Sequence, residues 1–389
     1  MTVTDPAGFA ANGVAAGIKP SGDPDLSLVA TVDGAPVAAA GVFTRNLMTA
    51  APVVTTRAHL AATGGRAAAV VLNSGCANAA TGNQGLADAE EMCALVAKDL
   101  GCAPDEVLVC STGLIGFELP MDAVRAGIPP LVAGRSVDGG SAAAEAIRTT
   151  DTVRKETVVR GPGFVVGGMA KGAAMLAPNM ATMLAVLTTD AAVEPAHLLA
   201  SLRAGVDDSF NAMSSDGCTS TNDTVLLLAS GAAGPPADLG AFDAAVAEAC
   251  LDLATQMVGD AEGHTKVVRV HVIGAASDEE AERGARKVAE SQLVKCSWYG
   301  KDPYWGRVAS ELGSAGIAFD PDRLTVRYGD HVLAVGGVSD TTVDEAALAT
   351  YMDEPSLEVV ADLGLGNGTA RILTNDLTHA YVDENMGTS

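Results

Sequence analysis

Short apolar runs recur along the 389-residue chain, and each gives way to a polar, mostly glycine-bearing stretch. Such runs predict strands. LSLVATVDG and PVAAAGVF, within residues 26–45, read as a hairpin turning at Asp33-Gly34. AAAVVLN (67–73) and EVLVC (106–110) follow as buried strands, and ETVVR and FVVGGMA form a second hairpin about Gly161-Pro162-Gly163. Later strands are MLAVLTT (183–189), DTVLLLAS from Asp223, and Thr265 to Ile273. Helical stretches fall between them, over 84–99, 136–149, 194–206, 241–258 and 278–290. The first of these carries Asp88, Glu90 and Glu91 in its first half, where acidic side chains complement the helix dipole. Alternating strands and helices predict an α/β fold.

From about residue 291 the pattern shifts. LVKCSWYGKDPYWGRVASELG holds both tryptophans, Trp298 and Trp305. The strands RLTVRYG, HVLAVGG, SLEVVADL and GTARILTND follow, with a helix near 342–352. A smaller C-terminal α/β domain is therefore expected over 291–389, with 182–290 completing the main domain. The cluster Gly364, Gly366 and Gly368 joins two strands and opens no helix, so it reads as a hairpin turn and not as a dinucleotide site.

The loops share a character. Residues 73–85, 111–116, 149–152, 214–223 and 259–266 are polar and follow apolar segments, so they could converge on one pocket. For 73–85 a plain connection is an equally good reading. Ser111-Thr112-Gly113, at a strand end, can present N–H groups to an anion or a developing oxyanion. The stretch 167–190, GGMAKGAAMLAPNMATMLAVLTTD, is the one around which the chain is organised. Gly167, Gly168 and Gly172 loosen its first half, Lys171 brings a charge, and Pro178-Asn179 make a turn. Thr182 then stands where loop enters strand, a position that suits a nucleophile. Taken alone, a structural junction explains this stretch more simply.

Composition narrows the function. Hydrophobic residues make up 48% and aromatics only 4%, so the core is built from Ala, Val, Leu and Met. A net charge of −24 argues against nucleic acid and anionic membranes as partners. The seven cysteines are odd in number and lack C-x-x-C spacing, which suits reduced thiols in the cytosol. The N-terminal MTVTDPAGFAANGV has no basic region and no long apolar core, so no signal peptide is expected. No apolar run approaches the ~20 residues of a membrane span. Six scattered histidines make no metal-binding spacing, so no zinc chemistry is expected.

Several blocks together resemble the ornithine acetyltransferase family, also called glutamate N-acetyltransferase, of arginine biosynthesis. The resemblance is carried by KGAAMLAPNMATMLAVLTTDA (171–191), a specific signature. NSGCANAATG (73–82), STGLIG (111–116), TTDT (149–152), STNDT (220–224), EGHTK (262–266) and YVDEN (381–385) extend it over almost the whole chain.

The resemblance implies self-cleavage between Ala181 and Thr182, leaving an α chain of 1–181 and a β chain of 182–389. It implies a layered sandwich of sheets and helices, like the N-terminal-nucleophile architecture without its topology, and an α2β2 heterotetramer in the cytoplasm. It implies ping-pong acetyl transfer from N-acetylornithine to glutamate through acetyl-Thr182, with no cofactor. Thr112 and Gly113 match the family's oxyanion hole. Thr150, Lys171, Glu262, Asn385 and the C-terminal residue, Ser389, match its substrate contacts. Lys171 suits a substrate carboxylate and Glu262 an ornithine ammonium. Without the family, Glu262 would read as a surface acid. The tail is one residue shorter than usual, so the contact given to Ser389 could fall on Thr388. Cys218 and Tyr304 also depart from the family pattern, at positions usually held by an acid and by Asn. Members differ in whether acetyl-CoA is also a donor. No residue decides it, and the single-donor form is the expectation adopted. Two other readings stay open: a self-processed N-terminal Thr hydrolase (aminopeptidase or amidase), and a non-enzymatic α/β binding protein.

Overall fold

The computed structural model describes residues 2–176 and 183–387. Ala181, Thr182, Thr388 and Ser389 lie outside the described residues, as do Pro178 and Asn179. Two compact units form, one from Met1–Asn211 with Cys218–Met257, the other from Ala212–Gly217 with Val258–Ser389.

The strands in chain order are β1 (Phe9–Val14), β2 (Leu26–Thr31), β3 (Val37–Phe43), β4 (Arg66–Ala67), β5 (Ala69–Asn73), β6 (Val107–Ser111), β7 (Lys155–Gly161), β8 (Phe164–Lys171) and β9 (Leu184–Ala191). They continue with β10 (Met213–Ser214), β11 (Thr224–Gly234), β12 (Val267–Ala275), β13 (Thr325–Tyr328), β14 (His331–Val335), β15 (Val338–Ser339), β16 (Ser356–Asp362) and β17 (Gly368–Asn375). The first unit holds a four-stranded sheet, β1-β2-β5-β6, and a six-stranded sheet, β4-β3-β11-β9-β8-β7.

Side-chain alternation explains how these sheets stack. Leu26, Leu28, Val71 and Val109 face one way, onto Met92, Val96, Val124 and Ile128 of helices Gly82–Leu100 and Met121–Ala133. Val29, Val70, Leu72 and Leu108 face the other way, onto Met169, Leu184, Val186, Leu226 and Leu228 of the six-stranded sheet. With both faces buried, these strands read as continuous apolar runs. Gly168, on the far side of the six-stranded sheet, lies under Leu253 of helix Leu239–Val258, which packs beside helix Pro195–Asp207. The first unit is thus a helix–sheet–sheet–helix sandwich, the layered α/β architecture that was expected.

In the second unit one sheet runs β10-β17-β12-β16-β13-β14-β15. Its core gathers Val268, Val270, Val272, Val359 and Tyr328 against Ala285, Val288, Trp298 and Leu312 of helices Asp278–Ala289, Gln292–Tyr299 and Trp305–Gly313.

Four expectations change. The boundary between units falls at 257/258 and not at 290/291. The reason is that β12 pairs with both β16 and β17 inside the second sheet, and helix Asp278–Ala289 covers it. Residues 26–45 are no hairpin: both edges of β2 are taken by β1 and β5, so β3 enters the other sheet. Residues 364–368 are no hairpin turn either. β12 separates β16 from β17, and Leu365 and Gly366 donate their N–H groups to Gly274 O as the chain crosses the end of β12. The β7–β8 hairpin forms as expected, while the helix placed at 136–149 is confined to Gly140–Ala146. No helix among the described residues is long and apolar enough to cross a membrane.

Candidate active site

Parallel strands β5 and β6 end side by side, with Asn73 opposite Ser111. The loops that leave them are tied together at once. Thr112 N–H donates to Asn73 O at 3.0 Å, and Asn73 Nδ2 to Cys76 O at 2.8 Å. Gly113 follows at φ +128°, and a Cβ there would lie 2.4 Å from the Gly75 carbonyl carbon. Only glycine accepts both that dihedral and that approach. The Asn222 side chain completes the tie, donating to Ala77 O at 2.6 Å and to Ser111 O at 2.9 Å. A cavity of about 20 Å³, room for one water, opens between Ala77, Thr112, Gly113, Met175, Ser220 and Asn222.

Lys171, the last residue of β8, reaches this loop from beneath. Its Nζ donates to Thr112 Oγ1 at 3.2 Å and to Thr149 Oγ1 at 2.7 Å. Asp151 stands behind it, wholly buried. Asp151 Oδ1 accepts from Lys155 Nζ at 2.6 Å and from Gly172 N–H at 2.7 Å. Its Oδ2 accepts from Thr149 N–H at 3.1 Å and lies 4.0 Å from Lys171 Nζ. Burial by itself would raise the Asp151 pKa. The charges of Lys171 and Lys155, with the hydrogen bonds from Lys155 and Gly172, overcome it and hold the carboxyl well below the usual range. The cluster therefore carries two ammonium groups on one carboxylate and suits an anionic group in front of it.

The chain resumes at Met183, where the Asp223 carboxyl accepts its N–H at 3.1 Å and Thr224 N–H donates to its carbonyl at 3.1 Å. Burial pushes the Asp223 acid well above its ordinary value, against the opposing pull of the Met183 N–H, the Ser220 hydroxyl and Lys171.

The second unit holds its own pair. Asn385 Nδ2 donates to Glu262 Oε2 at 2.8 Å, and also to Tyr381 O at 2.9 Å. Gly263 lies beneath Tyr381, where a Cβ would meet the Tyr381 nitrogen at 2.2 Å. That contact seats the helix His379–Glu384, which Thr378 caps by accepting the Tyr381 N–H.

Of the residues expected from sequence, Thr112, Gly113 and Lys171 come together in the first unit, and Glu262 and Asn385 pair in the second. Thr150 is exposed at the rim of its loop, and its neighbours Thr149 and Asp151 are the ones that meet the Lys171 side of the site. Thr182, Ala181 and Ser389 lie outside the described residues. Sequence reasoning passed over Asp151, Lys155, Asn222 and Asp223. The first, third and fourth sit inside the quoted TTDT and STNDT blocks, so their polarity at strand ends was the available signal.

The ArgJ family profile matches residues 10–387. The chain is 50% identical to the arginine biosynthesis bifunctional protein ArgJ of Mycobacterium leprae, covering all of this chain and 95% of that one. It is 46% identical to the protein of the same name from Thermobifida fusca, with both covered in full. A solved structure of ornithine acetyltransferase complexed with ornithine, from Mycobacterium tuberculosis, is 47% identical over 46% of this chain and 94% of its own, with a TM-score of 0.41. Another, of arginine biosynthesis bifunctional protein argJ from Bacillus halodurans, is 35% identical over 51% of this chain and 95% of its own, with a TM-score of 0.49.

Proposed function

The chain belongs to the ArgJ family, and from that premise we propose that it moves an acetyl group from N-acetylornithine to glutamate through an ester on Thr182. It is an acyltransferase of arginine biosynthesis. In the proposed cycle, Thr182 Oγ attacks the acetyl carbonyl and the resulting oxyanion is met by Thr112 and Gly113. The C–N bond breaks, ornithine leaves with a proton, and the amine of glutamate then takes the acetyl group from the ester.

A threonine hydroxyl needs a base. Cleavage at Ala181-Thr182 would supply one, because a free α-amine has a pKa of about 7.7–8.0. The same hydroxyl, attacking the Ala181 carbonyl, would give the ester that water hydrolyses during self-cleavage. Lys171 and the exposed Thr150 would meet the substrate carboxylate and backbone groups. Glu262 and Asn385 would hold the ornithine ammonium, and Ser389 or Thr388 a further contact. The α and β chains would assemble as α2β2 in the cytoplasm, with no cofactor.

The observation that carries this reading is the Lys171 ammonium 3.2 Å from Thr112 Oγ1, a cation held against the hydroxyl assigned to the oxyanion. The relatives' shared description as bifunctional favours a second donor, acetyl-CoA, over the single-donor expectation.

Denaturing intact mass tests the proposal. Chains of 1–181 and 182–389, with one acetyl group gained on the second after N-acetylornithine is added, would support it. A single uncleaved chain with no adduct would sink it. A rate of N-acetylornithine consumption that glutamate does not raise would favour the hydrolase instead.

A further inference from the structure

We propose that Asp151 is a positioning residue for acetyl transfer, acting through Lys171 to fix the direction in which the Thr112 hydroxyl donates. The inference rests on the oxyanion role proposed for Thr112.

The chain of contacts is continuous. Asp151 is buried, with Oδ1 shared between Lys155 Nζ and the Gly172 N–H. Its Oδ2 faces Lys171 Nζ at 4.0 Å. Lys171, itself buried, spends one donor on Thr149 Oγ1 and one on Thr112 Oγ1. An ammonium donates and never accepts. Thr112 Oγ1 must therefore accept from Lys171, and its own O–H is directed elsewhere. The Thr112 hydroxyl makes no other hydrogen bond among the described residues, and Thr112 lines the small cavity beside Gly113. A hydroxyl that accepts from a cation is also polarised into a stronger donor. The arrangement thus presents the Thr112 proton to whatever oxygen occupies that cavity.

Asp151 governs this geometry twice. Its charge holds Lys171, with Oδ2 4.0 Å from the ammonium that donates to Thr112. It also anchors Gly172, at φ +153°, where the chain leaves β8. The loop bearing Asp151 is itself fixed, because the Arg148 guanidinium donates to Asp151 O at 2.7 Å and to Thr152 O at 3.0 Å. The other charged groups facing the cluster are Lys155, on β7, and Asp223.

A simple loss of Asp151 would take a buried carboxylate away from two buried lysines and could unfold the chain. The reference protein is therefore Lys155→Met, and the test protein is Asp151→Asn with Lys155→Met, which keeps the net charge of the wild-type cluster. Each is made with Thr112 and with Thr112→Val. Acetyl transfer from N-acetylornithine to glutamate is measured per cleaved chain, counted by intact mass, with thermal melts to confirm folding.

With Thr112 present, the test protein should lose roughly 10²-fold in kcat, with KM within about threefold of the reference. With Thr112→Val the same change should cost little, so the two losses do not multiply. Losses that multiply, a change confined to KM, or kcat at the reference level would overturn the proposal. So would a test protein that melts like the reference yet stays uncleaved. Wild-type protein that moves no acetyl group at all would instead condemn the proposed function.

Discussion

Asp223 receives the Met183 N–H on Oδ1 at 3.1 Å, while its Oδ2 is buried with no hydrogen-bond partner among the described residues. A carboxylate in that position would leave a charged oxygen unsolvated, which is why burial pushes this acid well above its ordinary value. The folded chain therefore binds the proton more tightly than the unfolded chain, whose aspartates titrate near 3.9. The stabilisation is full below that pH and is lost as pH rises through the folded value. Asp223→Asn keeps the shape and the acceptor for Met183 N–H but cannot ionise. Its melting temperature should fall less than that of the wild type as pH is raised from about 4. Asp223→Ala strands the Met183 N–H and should cost about 1–3 kcal/mol at every pH. Melting curves across pH for the three proteins decide it, and parallel curves for wild type and Asp223→Asn would refute the argument.

Gly113 offers a sharper steric test. Its φ of +128° and the 2.4 Å approach of any Cβ to Gly75 exclude a side chain without backbone movement. Gly113→Ala should destabilise by about 1–3 kcal/mol, from strain and overpacking together. It should also cost more activity than stability, because the displaced amide is the second oxyanion donor of the proposed cycle. Removal of one such donor typically costs roughly 10²–10³ in kcat. A variant with lowered melting temperature but unchanged kcat would separate the glycine from the chemistry.

How much of this was legible in the sequence depends on the range of the interaction. The runs at 67–73 and 106–110 gave buried strands because both faces of β5 and β6 are covered, so no polar alternation blurs them. Strand pairing was less accessible. Asp33-Gly34 looks like a hairpin turn locally, and only the occupied edges of β2 send β3 to another sheet. The second unit was cut too late for the same reason, since β12 pairs with strands some ninety and a hundred residues further along the chain. FAANGV, as β1, is too small and mixed to signal a strand, yet it pairs along its whole length with β2. At the site, Thr112, Gly113 and Lys171 were legible through a family signature. Asp151 was not singled out, because its role depends on Lys155, Lys171 and Gly172 meeting across two strands and a loop.

Lys295 provides a pH test in the second unit. Its ammonium is buried and, among the described residues, donates to neutral oxygens: Ser215 O at 2.7 Å, Asn375 Oδ1 at 2.7 Å and Thr374 Oγ1 at 3.1 Å. Burial brings its pKa down to about 8, despite the raising influence of Asp216 and Asp376. An unfolded lysine titrates near 10.4, so the unfolded chain holds the proton more tightly. Stability should therefore rise as pH goes from about 8 towards 10.4, and the gain is lost again as pH falls through 8. Lys295→Met removes this rise, and it also withdraws a buried donor from Ser215 O, Asn375 Oδ1 and Thr374 Oγ1, at about 1–3 kcal/mol in all. The variant should melt lower at pH 7 and show no Lys295-dependent recovery between pH 8 and 10. An identical recovery in both proteins would assign the effect to another group.

The Glu262–Asn385 pair of the second unit tests the ornithine contact assigned to it in the proposed reaction. Asn385 Nδ2 occupies Glu262 Oε2 at 2.8 Å, and the other carboxylate oxygen makes no hydrogen bond among the described residues. In the proposed reaction that oxygen accepts from the ornithine ammonium, a charge-assisted bond worth about 1.5–3 kcal/mol. Glu262→Gln retains an oxygen for Asn385 and the same volume, so the melting temperature should move little. It removes the charge, so KM for N-acetylornithine should rise roughly 10- to 100-fold. The rate at which glutamate discharges the preformed acetyl-enzyme should change much less, because glutamate carries no side-chain ammonium. Formation and discharge of the acetyl-enzyme, followed separately by intact mass, read the two halves independently. Equal losses in both halves would mean that Glu262 shapes the site as a whole and does not recognise the ornithine chain.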